Sequence, residues 1–228
     1  RNSPNSSRPN RTPGRADAVW LELRDGGAMR REEHAARVRE FYEPRLAEHG
    51  DDHNVVSYRT RESQEGRFAI VADVGNLTEA SVLEVGCGVG HLYDWLTGNG
   101  YRGDYLGIDL QDEMIARARK RHPSVRFEVA DFLAEPGRFE ADYVLACGIF
   151  HLADRELYEA TIEVLYDSCG IAAAFTSYST WCPEDKKDAS FFADPLKTVE
   201  FCRDLTPHLI LRHEYIPHDF SIYMYRVR

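Results

Sequence analysis

The strongest constraint on the fold is a regular alternation of short apolar segments and amphipathic helical segments between Ser81 and Leu205. Apolar runs of this size suit buried strands, and apolar residues at helical spacing separate them. Such alternation predicts parallel strands joined by right-handed crossovers. The predicted strands are Ser81–Val85, Tyr105–Leu110, Val125–Val129, Tyr143–Ala146 and Ile171–Ser177. The predicted helices are His91–Thr97, Gln111–Arg121, Arg155–Tyr166 and Pro195–Leu205.

Both ends of the chain depart from this alternation. Two further strand-like segments, His208–Glu214 and Phe220–Arg226, are separated by a short loop that contains Pro217. This is hairpin spacing, and it predicts that at least one of the two strands runs antiparallel to the rest. Ahead of the first strand, apolar spacing predicts two helices, Arg31–Ala47 and Ser63–Val74.

Together these elements predict one α/β unit with a helical addition. The expected fold class is α/β, a doubly wound, Rossmann-like and mostly parallel seven-stranded sheet with a C-terminal antiparallel hairpin and an N-terminal helical cap. We expect residues 1–27 to form a disordered or weakly ordered leader, residues 28–78 the cap and residues 79–228 the core. Pro44 predicts a kink or a break in the first cap helix.

Charge and cysteine content restrict the partners of the chain. Lys and Arg number 28 against 38 Asp and Glu, and the formal net charge of -10 disfavours a general nucleic-acid binder. The five cysteines form no CxxC pair, so we expect no disulfides, no metal site and a reducing, cytoplasmic location. Apolar runs such as Ile171–Phe175 are strand-sized, which predicts no membrane span. The oligomeric state stays open.

The segment Val82–Gly90 (VLEVGCGVG) carries the first chemical signal. A buried strand ends in glycines at alternate positions, Gly86, Gly88 and Gly90, and a predicted helix follows at once. Glycines there let the backbone turn sharply and let a ligand approach the main chain. A tight strand–helix turn and a dinucleotide loop are the alternatives.

Two acids stand at the ends of the next two strands. Asp109 closes the strand that follows the glycine loop, where it can accept hydrogen bonds from both hydroxyls of a ribose. It can also serve as the N-cap of the next helix. Asp131 ends the third strand and can accept from the amino group of adenine, while Phe132 or Leu133 packs on the ring. The alternatives are that Asp131 is only an acidic residue of a loop and that Phe132 is only an aromatic residue of the core.

The fourth strand leads into small residues and then a histidine. Cys147 and Gly148 follow the apolar run, and Ile149, Phe150 and His151 come next. Because the carboxyl ends of parallel strands meet at one edge of a sheet, this tip should lie beside the glycine loop. We expect it to line the reactive end of a binding pocket.

In this order and spacing the four segments resemble the class I S-adenosylmethionine-dependent methyltransferases, over roughly Ser81 to Ser177. The resemblance implies S-adenosylmethionine as cofactor and S-adenosylhomocysteine as product. The loop reads G-x-G-x-G and not the G-x-G-x-x-G of nicotinamide enzymes, and a donor without pyrophosphate needs no phosphate-binding helix. The cofactor-binding residues that the resemblance implies are Glu84, Gly86, Cys87, Gly88, Gly90, Asp109, Leu110, Asp131, Phe132 and Cys147.

Methyl transfer from a sulfonium is an in-line displacement, in which the protein mainly positions the acceptor and excludes water. His151 is the candidate catalytic base, because histidine titrates near neutrality; capping or packing of the next helix is its alternative role. Acceptor contacts are expected from the cap and from the segment before the hairpin, although packing explains most aromatic residues there. The candidate substrate-binding residues are Tyr58, Arg59, Arg67, Phe150, Tyr178 and Trp181.

The sequence therefore predicts methylation of a small-molecule acceptor on oxygen or nitrogen. Methylation of protein or RNA is an alternative, which the acidic charge and the missing Asn/Asp-Pro-Pro-Tyr/Phe run disfavour. A cofactor-binding but non-catalytic partner subunit is another. A nicotinamide oxidoreductase is disfavoured, because no Tyr/Lys or equivalent hydride-transfer pair is found. The acceptor and the methylated atom stay open.

Overall fold

A computed structural model describes residues 27–182 and 191–227. The predicted leader therefore lies outside the described residues, except for its last position. One seven-stranded sheet runs through the described chain in the order β3-β2-β1-β4-β5-β7-β6. Its strands are β1 Val82–Val85, β2 Tyr105–Asp109, β3 Arg126–Val129, β4 Ala141–Ala146, β5 Cys169–Tyr178, β6 Leu209–Arg212 and β7 Asp219–Tyr225.

Six α-helices accompany the sheet in the described residues, and side-chain oxygens cap three of them. Thr60 accepts a hydrogen bond from Ser63 N at 3.1 Å, and Asp154 and Asp194 cap the fifth and sixth helices in the same way. A further helical turn, Phe150–Leu152, follows β4 and was not predicted from the sequence. The helices are α1 Gly27–Glu48, α2 Arg61–Ala72, α3 His91–Gly98, α4 Asp112–Arg121, α5 Arg155–Ser168 and α6 Pro195–Leu205.

The connectivity creates a crevice at the centre of the sheet. β1 pairs in parallel with both β2 and β4. The chain moves outward from β1 to β2 and β3, then crosses back to β4 and β5 on the other side of β1. In open α/β sheets the ligand binds outside the carboxyl ends of the strands at such a switch point.

Burial of β1 on both faces explains why three of its four residues, Val82, Leu83 and Val85, are apolar. All four of its residues are buried. Leu83 and Val85 pack in the cluster that includes α5, whereas Val82 belongs to the cluster on the opposite face. A parallel strand between two helical layers has no solvent face, so its sequence shows no alternation of polar residues.

The end of the sheet confirms the predicted hairpin. β7 pairs antiparallel with β5 and with β6, so it lies between two strands that flank it in space. The seven-stranded, mostly parallel sheet with its antiparallel end is the predicted fold class. None of the helices in the described part of the chain is long and apolar enough to cross a membrane.

The cap helices attach to opposite ends of the crevice. In α2, the Ile70 carbonyl accepts a hydrogen bond from the Tyr223 hydroxyl of β7. The end of α1 is bound to α4, because Arg117 donates to the carbonyls of Leu46 at 2.6 Å and Gly50 at 3.0 Å. α1 is one helix through Pro44, so the chain does not break there, and the kink that was the other predicted outcome stays a prediction.

Candidate active site

The carboxyl ends of β1 to β4 surround one cavity, called the main cavity, with about 1180 Å³ of empty space including its open mouth. It brings together the three predicted acids Glu84, Asp109 and Asp131. Of the ten residues predicted to bind the cofactor, nine line this cavity: Glu84, Gly86, Cys87, Gly88, Asp109, Leu110, Asp131, Phe132 and Cys147.

Gly90 is the exception among the predicted cofactor residues. It does not line the main cavity. It has φ +85° at the start of α3, and a Cβ there would lie 3.2 Å from both His122 Cδ2 and Phe127 Cζ. The positive φ and the packing of the helix start against neighbouring rings favour glycine at this position, and its predicted cofactor contact stays a prediction.

The glycine loop leaves space that side chains would fill. Gly86 has φ +75°, and a Cβ on it would lie 2.3 Å from Ile149 Cγ2. At Gly88, with φ +53°, a Cβ would lie 2.8 Å from Val56 Cγ1. Both positions therefore require glycine for conformation and for space, and the bare backbone faces the main cavity.

Asp109 is fixed by backbone donors on both carboxylate oxygens. The Gly88 N–H donates to Oδ2 and the Gln111 N–H donates to Oδ1, each at 2.9 Å. The N-cap of α4 is Gln111, so Asp109 is not the capping residue. Burial raises the pKa of Asp109 while these backbone hydrogen bonds act in the opposite direction. A carboxylate oxygen has a second lone pair, which leaves each oxygen able to accept from a ligand hydroxyl.

Asp131 connects the core to the cap. Its Oδ1 accepts from Leu133 N at 3.0 Å, and its Oδ2 accepts from Arg31 Nε of α1 at 3.2 Å. The side chain is 35% exposed. Phe132, beside it, is buried and lines the main cavity. The Arg31 contact could not be predicted from the sequence, because the two residues lie in separate elements of the chain.

Glu84 is a buried carboxyl group at the inner end of the main cavity. It is 3% exposed, and the Tyr105 hydroxyl donates to its Oε2. Burial raises the pKa of Glu84 to about 8, against the effect of that hydrogen bond. A positively charged ligand group would favour the ionised form of this carboxyl.

Three residues of α1 line the main cavity although none of them is among the predicted site residues. His34, Val38 and Tyr42 lie one helical turn apart on α1 and face the main cavity. This spacing of four residues is the signal that sequence reasoning missed. His34 Nδ1 is buried and has no hydrogen-bond partner among the described residues. Burial lowers the pKa of His34, which favours its neutral form.

Gln64 and His91 form a second polar pair in the wall of the main cavity. His91 Nε2 lies 2.8 Å from the Asp51 carbonyl, so Nε2 carries the proton. Its Nδ1 then accepts from Gln64 Nε2 at 3.0 Å. Neither residue was predicted as cofactor-binding, because the pair joins the cap helix α2 to the start of α3 and only the fold brings them together.

His151, the candidate base, is held between the cap and its own loop. Its Nδ1 lies 3.1 Å from the Gly148 carbonyl and therefore donates to it. Its Nε2 lies 3.4 Å from the Tyr42 hydroxyl. Burial lowers the pKa of His151 to about 4, so the ring is neutral at physiological pH and accepts a proton weakly.

A second, smaller cavity, called the side cavity, adjoins the main one and has about 420 Å³ of empty space. The two share Val56, Tyr58, Gly148, Phe150 and His151 as lining residues. Tyr58 stands at this common wall, where its hydroxyl lies 3.6 Å from Cys147 Sγ. The side cavity is lined further by Ser57, Arg67, Thr176, Ser177, Tyr178 and Asp219.

Four of the six predicted substrate-binding residues line the side cavity: Tyr58, Arg67, Phe150 and Tyr178. Arg59 and Trp181 line neither cavity. Arg59 is exposed just before the N-cap of α2. Trp181 is 47% exposed and stacks on His213, with ring centroids 5.1 Å apart. These two side chains lie outside both cavities, and their substrate contacts stay predictions.

Comparison with known proteins identifies the family. A family model described as a methyltransferase domain matches residues 82–169. A putative methyltransferase of Mycobacterium tuberculosis, Rv1506c, is 33% identical over 156 residues, which cover 62% of this chain and 90% of that protein. The chain belongs to the class I S-adenosylmethionine-dependent methyltransferases. It is a methyltransferase that uses S-adenosylmethionine as its cofactor.

Further similarities agree with the fold and are less specific. The trans-aconitate 2-methyltransferase of Variovorax paradoxus is 34% identical over 82 residues, 35% of this chain and 32% of that protein. Magnesium protoporphyrin IX methyltransferase from Synechocystis, with bound S-adenosylmethionine, superposes with a TM-score of 0.57 at 16% identity, over 96% of this chain and 100% of that one. The DhpI complex with S-adenosylhomocysteine superposes with a TM-score of 0.60 at 18% identity, over 84% of this chain and 94% of that one.

The charge of the main cavity fits this cofactor. Three carboxyl groups line it, and no lysine or arginine does so among the described residues. S-adenosylmethionine carries a positive sulfonium and an ammonium group beside one carboxylate. Opposite charges lower the free energy of a buried carboxylate, so Glu84 and its neighbours favour a cationic ligand. The bare backbone at Gly86 and Gly88 leaves room for it.

Proposed function

We propose that this methyltransferase transfers the methyl group to a small-molecule acceptor bound in the side cavity, on an oxygen or a nitrogen atom. The observation that carries the proposal is that Tyr58, Gly148 and His151 line both cavities, which places the side cavity directly beside the main one. The side cavity is open to solvent, and its empty space of about 420 Å³ includes that opening. One of the similar proteins is named for a small acid, trans-aconitate, which supports a small acceptor here.

The residues of the main cavity have separate roles in this proposal. The two oxygens of Asp109 accept from the ribose hydroxyls, while the backbone donors of Gly88 and Gln111 hold the carboxylate in place. Glu84 faces the amino acid end of the cofactor. Phe132 packs on the adenine ring, and Asp131 lies at its edge.

His34 adds a further role at the adenine end. His34 lines the same cavity as Asp131, its buried Nδ1 has no hydrogen-bond partner among the described residues, and burial lowers its pKa, which favours the neutral ring. A neutral ring nitrogen without a proton is a hydrogen-bond acceptor, which suits the amino group of adenine. Both oxygens of Asp131 already accept a hydrogen bond, whereas His34 Nδ1 accepts from no described residue and gains more from a donor, so we assign the main acceptor role at the amino group to His34.

When bound, the cofactor supplies a methyl group that is already activated by the positive sulfur. The protein therefore needs to align the acceptor and exclude water. Tyr58 and His151 lie at the wall between the two cavities, so their side chains orient the acceptor toward the main cavity. His151 is neutral at physiological pH and orients the acceptor without carrying charge.

Two measurements test the proposed function. Calorimetric titration with S-adenosylhomocysteine and with a nicotinamide cofactor should show binding of the first alone. An acceptor screen that measures release of S-adenosylhomocysteine should then find turnover with small molecules and none with RNA or protein. Binding without turnover of any acceptor would instead favour a non-catalytic partner subunit.

A further inference from the structure

Arg67 is a buried arginine that lines the side cavity, and most of its N–H groups have hydrogen-bond partners. The side chain of Arg67 is only 5% exposed, and its Nε donates to the Asp219 carboxylate, which is 2% exposed. Its Nη1 donates to the Ser63 carbonyl at 2.8 Å and to the Ser63 hydroxyl at 2.6 Å. Its Nη2 lies 3.2 Å from His218 Nε2.

One hydrogen of this guanidinium is left over. Arginine has five N–H hydrogens, one on Nε and two on each Nη nitrogen. Asp219, Ser63 and His218 account for four of them, so the second hydrogen on Nη2 has no acceptor among the described residues. Arg67 lines the side cavity. A buried donor without a partner costs free energy, which an acceptor atom of a bound ligand would recover.

The other groups around the side cavity cannot easily remove a proton from an acceptor. Asp219 is held by Arg67, and burial raises the pKa of the Tyr58 phenol well above its ordinary value. Burial also raises the pKa of the Cys147 thiol to about 11. His151 resists protonation, since burial lowers its pKa to about 4. The cavity therefore suits an acceptor that is already an anion at neutral pH.

We propose, resting on the proposed function, that the acceptor is a small carboxylic acid whose carboxylate binds Arg67 Nη2 and is itself methylated. One carboxylate oxygen accepts from Nη2, and the other forms the new bond to the methyl carbon as the carbon–sulfur bond breaks. The electron pair of the broken bond stays on sulfur. The products are a methyl ester and S-adenosylhomocysteine, and no proton is released.

The charges of the complex also balance under this proposal. Arg67 and Asp219 cancel each other at the floor of the cavity, so the acceptor carboxylate is balanced by the positive sulfonium across the common wall. A neutral hydroxyl would lack this attraction. Ser177 and Thr176, which also line the side cavity, add hydroxyl groups that can donate to an anionic oxygen.

Binding of matched probes to the protein with S-adenosylhomocysteine is the first test. Benzoate, hexanoate and succinate are compared with benzamide, hexanamide and succinamide, which have similar shapes without the charge. We expect at least one acid to bind about 10-fold or more tightly than its amide, because charge-assisted hydrogen bonds to arginine are the stronger ones. Amides that bind as well as their acids, or no binding by any acid at millimolar concentration, would overturn the proposal.

A matched pair of variants locates the binding. Arg67→Lys keeps the charge but loses the planar set of donors, and we expect it to weaken binding of the acid about 10-fold or more. Arg61→Lys makes the same change at an exposed position of α2 outside both cavities and should leave binding unchanged. Equal effects of the two variants, or no effect of Arg67→Lys in a protein with wild-type thermal stability, would contradict the assignment.

Proton release distinguishes the chemistry of the acceptor. With whichever acid binds most tightly, a pH indicator in weak buffer should record no proton for each S-adenosylhomocysteine formed, and the product should release methanol in alkali. A hydroxyl or protonated amine acceptor would release one proton or more at each turnover. That result would contradict the carboxylate proposal and leave the proposed function standing. If S-adenosylmethionine itself does not bind, the proposed function fails instead.

Discussion

The two adjoining cavities differ most in charge. The main cavity presents Glu84, Asp109 and Asp131, with no lysine or arginine among its described lining residues, whereas the side cavity has the buried ion pair of Arg67 and Asp219. Only a few neutral residues separate them at the common wall. This difference in charge places the cationic methyl donor beside an acceptor of opposite or no charge. We therefore expect a substitution in one cavity to alter the binding of the ligand in that cavity alone.

The largest expected effect comes from the glycine loop. In Gly86→Ala the new Cβ would meet Ile149 and the residue would have to keep a positive φ, so we expect binding of S-adenosylhomocysteine to weaken at least about 100-fold. Calorimetry measures this loss. Gly98→Ala, in α3 with nothing within 4 Å of the added Cβ, is the matched control and should bind normally. Normal binding by Gly86→Ala would show that the loop does not form the cradle.

Asp109 is next in expected size. Asp109→Ala should weaken binding of S-adenosylhomocysteine by about 1–3 kcal/mol, which is about 5- to 150-fold, because the ribose hydroxyls lose a buried acceptor. Acid binding in the side cavity should change little. Asp112→Ala removes an exposed carboxylate three residues later and serves as the control. Unchanged affinity in Asp109→Ala would contradict the ribose assignment.

Glu84 makes cofactor binding depend on pH. Its pKa of about 8 in the free protein lies above the value of 4.5 for an ordinary Glu, so this group favours the folded state less as pH rises from about 4.5 to about 8. A ligand ammonium favours the ionised form, so binding should release close to one proton at pH 7 and tighten about 10-fold between pH 7 and pH 9. Calorimetry in buffers of different ionisation enthalpy counts the proton.

The matched variant for this experiment is Glu84→Gln, which keeps the shape and cannot ionise. It should release no proton and lose the pH dependence of affinity. The same proton count in the variant and in the wild type would assign the titration to another group, such as Asp109.

His34 gives the smallest effect. His34→Phe keeps a ring on the same face of α1 but removes the acceptor nitrogen, and we expect binding of S-adenosylhomocysteine to weaken by about 1 kcal/mol, about 5-fold. The discriminating ligand is the inosine analogue, which has no amino group at that ring position. The wild type should bind this analogue more weakly than the parent compound, whereas the variant should bind both alike. Discrimination that survives in His34→Phe would return the role to Asp131.

The sequence predicted the main cavity better than the side cavity, and the reason is physical. Gly86, Gly88, Asp109 and Asp131 follow directly from strand ends, and parallel strands bring their carboxyl ends to one edge. The local sequence pattern therefore predicted which residues of the core lie close together in space. The fold class and nearly every strand and helix were predicted for the same reason.

The side cavity depends on contacts that local pattern does not encode. Arg67 and Asp219 are 152 residues apart in the chain and meet only because α2 packs beside β7. Arg59 and Trp181 were equally plausible from composition, yet both lie outside the cavities. The face of α1 that carries His34 was readable as a helical repeat, but nothing local showed which element it would cover.

The most direct test of the account is a crystal structure of the methyltransferase with S-adenosylhomocysteine. We expect the ribose of the bound ligand to lie on Asp109, its adenine between Phe132 and His34, and its sulfur facing the common wall at Tyr58 and Gly148. A ligand bound outside the main cavity, or a sulfur atom turned away from the side cavity, would contradict it.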